Sequence, residues 1–129
     1  MDNAPLKPPV WVARPAELEK MIQMLSQQPI IAVDTEANSL HAFREQVCLI
    51  QFSTPTADYL VDPLSLVDLS PLEPIFRSPQ IEKVFHAAEY DIIGLKRDFQ
   101  FEFDALFDTM LAARILGRTA VGLAAMLES

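Results

Sequence analysis

The sequence predicts a mixed α/β sheet: an antiparallel three-strand meander, then parallel strands, flanked by helices. Three observations predict it. Short β-branched apolar runs follow one another closely at 30–36, 47–53 and 57–63. A fourth apolar run, 83–86, stands apart from them. The segments after it carry apolar residues at helical spacing, so the second half alternates strand and helix.

Residues 1–9 hold three prolines and no periodicity, and read as an extended arm. Pro15 suits a first helical position, and Leu18, Met21, Ile22 and Leu25 follow at helix spacing until Pro29 ends the segment. IIAVDTE (30–36) is a buried strand, and VCLIQFS (47–53) and ADYLVDP (57–63) are two more, joined through Thr54, Pro55 and Thr56 as a hairpin. Ser70 and Pro71 lead into a short helix over Leu72 to Phe76. KVFH (83–86) is the fourth strand. Tyr90, Ile93, Leu95 and Phe99 mark a helix from about Ala88 to Phe99. Phe107, Met110, Leu111, Ile115 and Leu116 mark another, with Gly117 as its C-terminal cap. A last amphipathic segment begins at Val121.

At 129 residues, half of them apolar, the chain fits one domain with a real core. No apolar stretch approaches the roughly 20 residues of a membrane span, and the N-terminus lacks the pattern of a secretory signal. The expectation is a cytoplasmic protein with no membrane partner. The single cysteine, Cys48, excludes an internal disulfide and multi-cysteine zinc sites, and inside VCLIQF it reads as a small buried hydrophobe. A net charge of −8 argues against a protein that coats nucleic acid. It does not argue against an enzyme whose carboxylates hold cations, because the ions reverse the charge where a phosphate must sit.

Asp34 and Glu36 close the first strand of the meander. Side chains two apart on a strand share a face, so the two carboxylates project together and repel unless a cation holds them. Hard oxygen ligands suit Mg²⁺ or Mn²⁺; a solvated Glu36 beside a loop-capping Asp34 is the plainer alternative. Asp91 falls in the first turns of a helix, where the macrodipole favours an acid, and where it can also meet the pair if 83–86 lies beside 30–36. His86 is equally a hydrogen-bonded structural residue or a working one. Asp108, in FDT, reads as an N-cap.

IIAVDTEANSL, VCLIQFS, YLVDPL, KVFHAAEYDIIGL and FDTMLAARILG occur in this order at close spacing. Together they resemble the ribonuclease D family of DEDD 3′→5′ exonucleases, from about residue 10 to the last. The resemblance implies a ribonuclease H-like fold, with residues 1–129 the N-terminal part of a single exonuclease domain. It implies that Asp34, Glu36 and Asp91 are catalytic metal ligands, and that Thr35, Leu40 and His86 face the substrate, a nucleic acid with a free 3′ end. His86, Ala88 and Asp91 also fit the third motif of histidine-type relatives. The separation of 57 positions from Asp34 to Asp91, and FDTMLAARILG after them, favour the second motif instead.

The family's chemistry uses two metal ions, roughly 4 Å apart, shared by four carboxylates. The fourth belongs to a Tyr-x-x-x-Asp arrangement that this sequence lacks. The expectations are therefore a truncated domain, inactive or nearly so by itself, or a non-catalytic nucleic-acid-binding remnant on the same scaffold. Helices absent from one sheet face would leave Phe107, Met110, Leu123 or Met126 uncovered, and self-association through them is expected.

Overall fold

The computed structural model describes residues 7–38 and 45–128. Leu40, the expected apolar contact to a terminal base, lies outside the described residues. Strands β1 (Val10–Val12), β2 (Ile30–Asn38), β3 (Gln46–Ser53), β4 (Asp58–Val61), β5 (Glu82–Phe85) and β6 (Leu106–Asp108) form one sheet in the order β1-β4-β3-β2-β5-β6. β2, β3 and β4 make the expected antiparallel meander. β5 runs parallel to β2, β6 parallel to β5, and β1 parallel to β4. The helices are α1 (Pro15–Leu25), α2 (Glu73–Arg77), α3 (Ala88–Phe99), α4 (Thr109–Ile115) and α5 (Leu123–Glu128), with a 3₁₀ turn over Ser70–Leu72 leading into α2. None of the described helices is long and apolar enough to cross a membrane.

The period-2 alternation of β2 divides the molecule. Ile31 and Val33 are buried, and their register partners Lys83 and Phe52 are buried with them. This face carries the core, in which Phe52, Phe76, Phe101 and Phe103 form a chain of tilted ring contacts centred on Phe76. Ala32, Asp34 and Glu36 alternate with them and are exposed. Between Glu36 and Ala37 the register slips by one residue, leaving Cys48 as the extra member of a β-bulge. The slip returns Val47 to the buried side. Lys83 is wholly buried in β5, and its Nζ donates to the Ser78 carbonyl at 2.6 Å.

Two strands depart from the sequence reading. β1 follows the expected arm directly, and Leu106–Asp108 is a strand where Phe107 was expected to begin a helix. Both are three residues long and are specified by parallel pairing with a distant strand, which local spacing does not record. The helix that Phe107 was assigned to starts at Thr109 instead. Its end is as expected. Gly117 has φ 87°, its N–H donates to the Arg114 carbonyl, and the Arg118 N–H donates to Ala113, a Schellman closure.

α3 is fixed at both ends. Asp98 accepts from the Val47 N–H at 2.7 Å, and a Cβ on Gly94 would meet Val47 Cγ2 at 3.1 Å, so the helix lies close against β3. At its start, Ala87 takes a left-handed conformation (φ 57°) that turns the chain sharply out of β5. The Asp108 carboxylate then accepts from the Ala87 and Ala88 N–H groups (3.0 and 2.7 Å) and from Met110 and Leu111 of α4 (2.8 and 3.3 Å). One side chain caps two helices.

Burial pushes the Asp108 carboxyl up, but the four N–H donors outweigh it and hold it below the usual aspartate value. A depressed folded-state pKa gives a stabilisation present above the unfolded value, about 3.9, and lost as pH falls through the folded one. Asp108→Asn is expected to lose about 1–2 kcal/mol at pH 7 by urea unfolding, with a shallower acid limb than the parent.

Candidate active site

The site lies at the C-terminal ends of β2 and β5. Asp34 and Glu36 leave β2 on its exposed face, as their spacing requires. Gln51 of β3 stands opposite Asp34 in the antiparallel register, and Ala32 is level with Val84 of β5. β5 lies beside β2, which is the condition under which Asp91 can approach the pair. Asp91 itself is in the first turns of α3 and is only 7% exposed.

Thr35 links the two elements. Its side chain points to the covered side of β2, where Oγ1 donates to Asp91 Oδ1 at 2.5 Å. Its backbone N–H donates to Asp34 Oδ1 at 2.9 Å. Asp91 therefore has a donor at hand, yet its carboxyl is pushed up to about 6. Burial is the largest cause. The Thr35 hydroxyl opposes it, and the charges of Asp34, Glu36 and Asp108 add to it. The three candidate carboxylates are thus within electrostatic reach of one another.

His86 follows β5 on the side of Asp34. Its Nδ1 is 2.8 Å from Thr109 Oγ1, and that hydroxyl donates to the Phe85 carbonyl. The Thr109 hydroxyl has one proton for these two contacts, so the donor between Nδ1 and Oγ1 depends on the tautomer of His86. Nε2 is buried without a partner among the described residues. His86 also lines a cavity of about 390 Å³ with Ala32, Asp34, Gln51, Val84 and Leu123. The ring is hydrogen-bonded structurally through one nitrogen and borders the site with its other features.

Oxygen donors on an exposed strand end suit a hard cation. Among the described residues, no three His, Cys, Asp or Glu side chains are placed together to hold a metal ion. The fit therefore rests on Asp34 and Glu36, a number of carboxylates with which Mg²⁺ is often held when waters and substrate phosphate complete its shell. The sequence reading missed the double cap of Asp108 and the link through Thr35. The signal for the second was present, since a residue between two outward carboxylates must face the other way.

Comparison with known proteins decides what this arrangement belongs to. The family model described as 3′-5′ exonuclease matches residues 9–129. The chain belongs to the 3′-5′ exonuclease family. It is 43% identical over 122 residues to the exosome complex exonuclease RRP6 of Saccharomyces cerevisiae, covering 94% of this chain and 17% of that protein. It is 41% identical over 121 residues to Protein RRP6-like 3 of Arabidopsis thaliana, covering 93% of this chain and 14% of that one. The structure superposes on the catalytic core of RRP6 from Trypanosoma brucei with a TM-score of 0.90 at 34% identity, over 94% of this chain and 34% of the other. Escherichia coli RNase D gives 0.87 at 31% identity, over 95% and 33%. This exonuclease domain is accordingly of the RRP6/RNase D type, with the mixed sheet of that group. The chain spans less than a fifth of the length of these two curated relatives.

A carboxyl whose pKa is raised on folding costs stability when it is ionised. In metal-free protein that cost is absent at about pH 4 and grows as pH rises through about 6. Asp91→Asn removes it and still accepts from Thr35. The variant is expected to unfold at higher urea than the parent at pH 7, and the difference should shrink at pH 4.5.

Proposed function

We propose that the chain is the N-terminal part of a metal-dependent 3′-5′ exonuclease domain acting on RNA. The observation that carries this is the crowding of Asp34 and Glu36 on one strand face with Asp91 close enough to feel their charge. Asp34 and Glu36 would hold a divalent cation, Mg²⁺ or Mn²⁺; Asp91, which the described side chains do not bring to the same point and whose Oδ1 accepts from Thr35, would join as a further ligand only on a shift of its carboxylate. When bound, such an ion supplies Lewis-acid polarisation of a phosphoryl oxygen and a water of lowered pKa. The chain's own residues orient the carboxylates, through the Thr35 hydroxyl on Asp91 and the Thr35 N–H on Asp34, and place the His86 ring in the same cavity as Asp34. RNA is favoured over DNA because E. coli RNase D, at 31% identity, is described as an exoribonuclease involved in structured RNA processing.

The sequence contains no Tyr-x-x-x-Asp arrangement. We propose that these 129 residues alone hydrolyse RNA slowly or not at all, since each missing donor or ligand is typically worth roughly 10²-fold in rate. Calorimetry of Mn²⁺ binding tests the site without needing turnover. The expected result is binding by the parent chain that disappears in Asp34→Ala. Heat in neither protein would favour a non-catalytic nucleic-acid-binding remnant on the same scaffold.

The face that carries Asp34 also exposes Trp11 (52%), Phe107 (44%) and Leu123 (52%). Self-association through these residues is part of the proposal. Sedimentation should show concentration-dependent dimers or larger species that Phe107→Glu with Leu123→Lys abolishes; a monomer at high concentration would reject it.

A further inference from the structure

We infer that Thr35 is a positioning residue, tying the carboxylates of Asp34 and Asp91 into one arrangement without touching substrate. The strand pleat sends Asp34 and Glu36 to one side of β2 and Thr35 to the other. From there the Thr35 hydroxyl reaches through to α3 and donates to Asp91 Oδ1, while its N–H donates to Asp34 Oδ1. A single residue thus places a hydrogen-bond donor on each of two like charges that belong to different elements. The hydroxyl has one proton, and donating it to Asp91 leaves none to donate to a substrate.

β-Branching makes the side chain suited to the task. Two heavy atoms on Cβ restrict χ1 on a strand, so Oγ1 is held in a narrow set of directions. α3 cannot slide to compensate, because Asp98 and Gly94 fix it on β3 and Asp108 fixes its start. Asp91 is therefore presented from a rigid helix to a rigid hydroxyl. This role depends on the proposed metal site only for what the arrangement serves. The orientation of Asp91 can be read in protein that contains no metal.

The test compares Thr35→Val, which keeps the branched shape and removes the hydroxyl, with Thr35→Ser, which keeps the hydroxyl and removes the methyl. Thr35→Ala is a second hydroxyl-free variant should the valine protein not fold. The first readout is the side-chain carboxyl ¹³C resonance of Asp91 and its χ1 coupling in metal-free protein. The expected result is a displaced, rotamer-averaged Asp91 in Thr35→Val and a parent-like Asp91 in Thr35→Ser. An unchanged Asp91 in Thr35→Val overturns the inference. So does the reverse order, with valine parent-like and serine displaced, which is the signature of packing.

The second readout is Mn²⁺ affinity, expected to fall roughly 10- to 100-fold in Thr35→Val and to recover in Thr35→Ser. If the parent chain binds no Mn²⁺, the proposed function fails, and the resonance of Asp91 still decides the role of Thr35.

Discussion

Three negative charges, Asp34, Glu36 and Asp91, have to be held within reach of one another, and the rest of the structure is arranged around that repulsion. Burial and mutual charge together push the Asp91 carboxyl up to about 6, so the site opposes folding rather than driving it. Stability must come from elsewhere. It comes from the face of β2 that looks away from the charges, where Ile31 and Val33 join a core built around Phe52, Phe76, Phe85 and Leu72. The alternation of one strand therefore separates the function of the sheet from its cohesion.

The turn between β5 and α3 shows the same division. Ala87 adopts a left-handed conformation that costs a residue bearing Cβ about 1–2 kcal/mol. Its N–H and that of Ala88 go to Asp108, which itself begins the next helix. The cap offsets the turn, and the turn sets the distance of Asp91 from β2. Asp108 lies on the third strand of the parallel half, so pairing of β5 with β6 is what brings the capping carboxylate to the helix it caps.

Much of this was legible from the residues. The β-branched runs marked β2 to β5. The two-residue spacing put Asp34 and Glu36 on one face, and Asp108 and Gly117 marked the limits of α4 through side-chain and backbone chemistry that is local. What escaped was non-local. Val10–Val12 and Leu106–Asp108 are strands only because a partner strand lies beside them, and three residues carry no period of their own. Lys83 is wholly buried in β5, yet the Ser78 carbonyl satisfies it within the core. For Thr35 the family resemblance implies a place facing substrate, whereas its hydroxyl donates to Asp91. The pleat turns it to the opposite side.

The position of β1 has a consequence for the order in which the molecule assembles. Its parallel partner, β4, comes some fifty residues later in the chain, with Val10 level with Tyr59 and Val12 with Val61. β2, the middle of the sheet, likewise needs both the following strand and Glu82–Val84 before it is flanked. During synthesis the first apolar strand must wait, unpaired, until the whole meander has emerged to receive it. Loop closure of that length is a slow event relative to hairpin formation. The β2–β3–β4 hairpins are thus the part that can form early, and the N-terminal strand closes the β4 edge only after them.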